Sequence, residues 1–234
     1  MKSSIMINVL NSQGGIGMKA LRMTLMVVAI VALAGSAMAQ NTVYVQGDGT
    51  GAMNGTNFGL TLDLDGTTSN AFVEDQTPAD ETIYRASFWF DPNSLPMNPA
   101  DKFVIFLARH SSFNNVLRLQ FNFQNGNYRV RLQVKKNNNV WADCRLDGAT
   151  GVRFITIGDE PTQITIESVF GDSTVALARV TANGVTHFKD TYQSSAWSVA
   201  RIRMGGPRMA QAQGGPFVGE VYFDEFESYR TLAP

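Results

Sequence analysis

The chain has a single cysteine, Cys144, among 234 residues, and only two histidines, His110 and His187. A lone cysteine excludes an internal disulfide, which leaves packing, or packing with a metal, to hold the fold. Cys144 itself reads as a small, half-buried strand residue. Neither histidine lies in H-E-x-x-H or near a G-x-S-x-G, which leaves zinc-hydrolase and serine-hydrolase chemistry without a motif. Charge is scarce at 17% and nearly balanced at a net −1, so there is no excess of Lys and Arg of the kind that phosphate binding needs. That excludes a nucleic-acid partner. Helical spacing is missing from every window after Gln40.

What is present begins with an address. Lys19 and Arg22 flank the start of an apolar run from Met23 to about Leu33, and Ala37-Met38-Ala39 precedes Gln40. This is the pattern of a secretory signal cleaved after Ala39. The run is shorter than the roughly 20 residues that cross a bilayer. Residues Met1 to Gly17 precede a complete signal of their own, which makes Met18 the expected start. Removal of residues 1–39 takes away Lys2, Lys19 and Arg22 and no acid, leaving a mature charge of −4. The mature chain, Gln40 to Pro234, is expected to be a single secreted or periplasmic domain without a membrane span.

The clearest signal in that domain is VLRLQFNFQNGNYRVRLQV, Val116 to Val134. Asn125-Gly126 suits a two-residue type I′ turn, which sets Gln124 opposite Asn127. Leu117 then faces Val134, Leu119 faces Leu132, Phe121 faces Val130 and Phe123 faces Tyr128. Arg118, Gln120, Asn122, Arg129, Arg131 and Gln133 fall on the other side. A slip of one residue would expose every apolar side chain, at about 1.5–3 kcal/mol each.

Other strands alternate in the same way: Thr42 to Gln46, Gly59 to Leu64, and Tyr84 to Phe90, where Arg85, Ser87 and Trp89 oppose Tyr84, Ala86, Phe88 and Phe90. Phe103 to Leu107 is continuously apolar, as in a strand covered on both sides. Short strands are expected within Val140 to Leu146, Phe154 to Ile157 and Ile164 to Val169. Asn183-Gly184 marks a second I′ hairpin with Arg179 opposite Phe188, and Val199 to Met204 and Val218 to Tyr229 complete the set. About a dozen short strands without helices give a sandwich or barrel.

FVEDQTPADETIYRASFWFDPNSL (Phe72 to Leu95) and GEVYFDEFESYR (Gly219 to Arg230) resemble the concanavalin A-like lectin/glucanase superfamily, and within it LamG-like secreted bacterial proteins. The resemblance implies an all-β, two-sheet antiparallel jelly-roll sandwich with a glycan-binding face. It also implies a structural calcium held through the closing strand, where Asp224 stands, with Glu74, Asp75 and Asp48 as candidate companions. The residues add that Val221 and Phe223 keep one parity while Phe226 falls on the other, which predicts a bulge at Asp224-Glu225.

Glycosidases of this fold place paired carboxylates in E-x-D-x-E or E-x-D-x-x-E runs. Glu220, Asp224, Glu225 and Glu227 do not form one. Sugars are held by flat aromatic faces and by planar amide or guanidinium groups. Arg85, Trp89, Arg118, Gln120, Asn122, Arg129 and Arg131 supply both and are the expected ligand-binding set, with Asp224 and Glu74 the candidate metal ligands. Trp141 and Trp197 are open between binding platforms and core fillers. The leading expectation is a non-catalytic domain that binds a glycan or cell-surface polymer. A glycoside hydrolase or lyase on the same scaffold, and a structural envelope or adhesion protein, are the alternatives.

Overall fold

A computed structural model describes residues 40–47, 49, 51–209 and 212–232. The expected signal segment and Asp48 lie outside the described residues. The described strands are β1 (Thr42–Gln46), β2 (Gly59–Asp65), β3 (Ala71–Asp75), β4 (Ile83–Asp91), β5 (Lys102–Arg109), β6 (Asn115–Gln124) and β7 (Asn127–Lys135). They continue with β8 (Trp141–Asp143), β9 (Ile155–Ile157), β10 (Thr162–Val169), β11 (Leu177–Ala182), β12 (Val185–Asp190), β13 (Arg201–Gly206) and β14 (Val218–Tyr229). The first sheet runs β1-β2-β14-β4-β10-β11-β12, and the second runs β3-β13-β5-β6-β7-β8 with β9 also on β7. Every pairing is antiparallel, so this is the two-sheet jelly-roll sandwich.

Both I′ hairpins form in the expected register. Asn125 and Gly126 have φ of 54° and 75°, and β6 pairs β7 from Leu117↔Val134 to Gln124↔Asn127. Asn183 and Gly184 have φ of 52° and 72°, and Arg179 lies opposite Phe188. The apolar run in β5 is resolved by a bulge between Val104 and Phe106. It sends Phe103 and Phe106 inward opposite Phe121 and Leu119, and turns Val104 and Leu107 to the outer face opposite Gln120 and Arg118, where both are still buried, so the strand is covered on both sides as expected. One strand was not expected from the sequence: β3, whose Glu74 and Asp75 interrupt the apolar pattern, pairs with β13.

The core is largely phenylalanine. Phe88 stacks on Phe106 at 5.8 Å, and Phe90 meets Phe121 edge-on at 5.0 Å, each pair joining one sheet to the other. Cys144 is fully buried rather than half-buried, its thiol donating to the Ala178 carbonyl at 3.5 Å, and burial pushes its pKa up.

Candidate functional site

The inward phenylalanines fix which side chains point out, and they separate the expected ligand set into two. Arg85 and Trp89 are on β4, in the first sheet, whereas Arg118, Gln120, Asn122, Arg129 and Arg131 are on β6 and β7, in the second. Each group shares the outward parity of its strand, so the two groups lie on opposite outer faces of the sandwich. The alternation of β4 matches that of the hairpin, but the match places Arg85 and Trp89 outside a different sheet.

On the second sheet the register assembles one continuous outward row, Glu74–Arg203–Leu107–Arg118–Gln133–Asp143, crossing six strands. Gln120 lies opposite Arg131, Asn122 opposite Arg129, and Arg201 opposite Arg109. The carboxylates stand at the two ends of the row and are already engaged. Arg203 donates through Nε to Glu74 at 2.5 Å, with Arg201 at 3.8 Å. Arg131 meets Asp143 at 2.5 Å, with Arg145 and Arg153 at 3.8 and 3.7 Å.

Between those ends lies guanidinium charge with no carboxylate in contact among the described residues: Arg109, Arg118, Arg129 and Arg208. Burial pushes the Arg118 guanidinium down to about 10, and the like charges of Arg208 and Arg131 add to the effect. Arg109, Arg129 and Arg208 are lowered too, in each case mainly by burial. Crowding half-buried cations in this way opposes their charged form, and an anion laid across them would relieve it.

Aromatic rings hold these arginines in place. Arg118 lies 4.3 Å over Trp141, Arg129 4.4 Å over Phe154, Arg201 4.4 Å over Phe113 and Arg203 4.2 Å over Phe72. Arg118 also donates through Nε to Gln133 at 2.8 Å, and Arg129 donates to Gln124 and Asn122. Trp141 is therefore a support beneath a guanidinium. Trp197 donates to the Lys136 carbonyl at 3.0 Å and lies under Lys135. Arg109, Arg201, Arg203 and Arg208 were missing from the sequence-derived set. The outward R-x-R of Arg201 and Arg203, which repeats that of Arg129 and Arg131, was the signal for two of them.

The candidate metal ligands do not converge. Glu74 is on β3 in the second sheet, bound to arginine, while Asp224 is on β14 in the first. Asp224 accepts from the Met53 N–H at 2.6 Å, the Thr56 hydroxyl and the Glu225 N–H at 2.7 Å. Asp75 accepts from the Thr77 N–H at 2.8 Å. Among the described residues no group of three His, Cys, Asp or Glu side chains is arranged to hold a metal. Glu74 and Asp224 thus do not share one ligand sphere, and Asp48 lies outside the described residues.

Asp224 instead ties Met53 and Thr56 of the glycine-rich loop to the closing strand, at a bulge expected at Asp224-Glu225 and observed as a register shift between Asp224 and Glu227. Asp224→Ala would orphan the N–H of the buried Met53. It is expected to cost about 2 kcal/mol, read as a lowered Tm in a thermal melt.

Carboxylates gather on the other side of the sandwich. Glu220 lies opposite Asp63 on the first sheet and accepts from the Tyr44 and Tyr222 hydroxyls at 3.1 and 2.8 Å. Burial raises the Asp63 pKa, and Glu220 and Asp65 raise it further. The mildly acidic molecule is therefore polarised, with its arginines concentrated outside one sheet.

No family model and no curated protein matches the sequence. Solved structures do share the fold. The cellulose-induced protein aligns over 85% of this chain and 90% of its own at 9% identity, with a TM-score of 0.56. The endo-β-1,4-glucuronan lyase of the fungus Trichoderma reesei aligns over 81% of this chain and 87% of its own at 13% identity, with a TM-score of 0.54. The receptor-binding domain of botulinum neurotoxin type G aligns over 80% of this chain at 12% identity and a TM-score of 0.49, and this chain spans 40% of its length. At these identities the likeness is one of fold: the protein is a jelly-roll sandwich.

Proposed function

We propose that this is a secreted, non-catalytic domain that binds an acidic polysaccharide across the outer face of its second sheet. The observation that carries the reading is the row of half-buried guanidiniums centred on Arg118, without a carboxylate partner, on a protein whose net charge is negative. Arginine presents a planar fork to a carboxylate, so uronate groups spaced along a polymer match an array of such forks. Gln120, opposite Arg131, offers an amide to sugar hydroxyls, while the buried Asn122 is spent on holding Arg129. The fold shared with a glucuronan lyase supports the same class of ligand.

Cleavage by elimination would need a base beside the acidic carbon of a uronate. The outward rows hold no tyrosine or histidine, their carboxylates are committed to arginine, and their lysines, Lys102 and Lys135, sit at strand ends. This supports binding without turnover. Calorimetric titration of Gln40 to Pro234 with polyglucuronate and polymannuronate, paired with an assay for unsaturated uronate ends, tests both halves. Affinity that falls as salt rises, with no unsaturated product, is the expected result. Product formation would return the protein to the lyases, and silence in both assays would leave a structural role.

A further inference from the structure

The outer face of the first sheet, which the acidic-polysaccharide reading does not use, carries a groove of different chemistry. Its volume is about 410 Å³, and it is lined by Trp89, Pro161, Gln163, Thr165, Thr181 and the Asn183-Gly184 turn. The register builds its floor. Trp89 pairs with Gln163, and Ser87, Thr165 and Thr181 stand side by side on β4, β10 and β11, all outward.

None of the lining side chains is charged. A cation–anion pair on this face, Arg179 with Glu167 at 3.2 Å, lies one register step further along. Gln163 donates to Ser87 only at 3.5 Å and the Ser87–Thr165 hydroxyl contact is 3.4 Å. Both are at the long limit of a hydrogen bond, so these amide and hydroxyl groups keep capacity for a ligand.

Trp89 is held for the purpose by the bulge in β14. Glu225, at φ 48° in that bulge, accepts the Trp89 indole N–H at 3.1 Å and an Asn54 amide N–H at 2.9 Å. A bulge re-aims a side chain that regular pairing would leave elsewhere. Here the re-aimed carboxylate fixes the ring at the margin of the groove.

We propose that this groove is a second carbohydrate site, for a neutral oligosaccharide, with a pyranose ring against Trp89 and its hydroxyls on Gln163, Thr165, Thr181 and Asn183. An aromatic platform beside uncharged amides and hydroxyls matches a sugar with apolar C–H faces and no ionised group. The domain then carries two ligands of opposite electrostatic character on its two outer faces, and can bridge a neutral polymer to an acidic one.

Calorimetry of the intact domain with cellohexaose, mannohexaose and laminarihexaose tests the site. At least one of the three binds, with an affinity that does not change between low and high salt. Trp89→Ala weakens it roughly tenfold or more. Thr181→Arg, which fills the groove from a surface position, abolishes it and decides the matter if Trp89→Ala melts early. Arg118→Gln leaves it unchanged. The proposal is overturned if none of the three hexasaccharides binds, or if binding is lost in Arg118→Gln and kept in Trp89→Ala and Thr181→Arg. Loss of acidic-polymer binding with retained hexasaccharide binding would overturn the reading of the second sheet alone.

Discussion

Replacing Arg118 and Arg129 together with glutamine is expected to weaken polyglucuronate binding about a hundredfold while leaving the melting temperature nearly unchanged. A hydrogen bond to a charged group contributes roughly 1.5–3 kcal/mol, so losing two guanidinium–carboxylate contacts at the low end already amounts to about two powers of ten. Stability is spared because neither arginine has a carboxylate partner to orphan, and both are held in the folded state against the cost of burying their charge. Glutamine keeps an amide for Gln133 or Asn122 and removes that cost. A single arginine such as Arg131 would be a poorer test, since its loss would strip Asp143 of its closest partner.

The largest stability effect is expected from Phe121→Ala, at about 3–5 kcal/mol. Phe121 is fully buried and touches three rings: Phe90 of the other sheet at 5.0 Å, Phe103 at 5.5 Å and Tyr128 at 5.4 Å. Truncation opens a cavity at the seam between the sheets, where relaxation would require one sheet to move against the other. For a domain of this size the loss is read as a fall in Tm of roughly 10 °C. Polyglucuronate affinity measured below that transition is expected to survive, because the rings act on the arginine face only through the register they enforce.

That register was legible from the start. Asn125-Gly126 and the alternation on its two arms are local signals that specify one pairing; at Asn183-Gly184 the turn alone carried the register, since Arg179 faces Phe188 and Leu177 faces Asp190 across it. The bulge before Phe226 was legible as a break in parity. The assignment of strands to sheets was not. Period-two alternation says that Arg85 and Trp89 point away from the core, but a sandwich has two outsides, and only the long-range pairing of β4 with β10 and β14 says which one they occupy. Strand β3 was hidden for a related reason: Glu74 and Asp75 break its apolar pattern, and Glu74 is stabilised there by Arg203, more than a hundred residues away in sequence.

The same non-local pairing explains the incomplete site. Arg118 and Arg131 could be read from one hairpin, but Arg109, Arg203 and Arg208 come beside them through β5, β13 and the segment that follows β13. Asp224 shows the converse. Its position suggested a cation, and its neighbours turn out to be N–H and O–H donors of the glycine-rich loop.

The most direct test of the arginine face is a titration of the domain with polyglucuronate followed through the side-chain Nε–Hε resonances of its arginines in a proton–nitrogen correlation spectrum. The signals of Arg118, Arg129 and Arg131 should move together, with the Trp89 indole signal unmoved, and should return as salt is added. Movement of the Trp89 signal with the arginine signals stationary would contradict it.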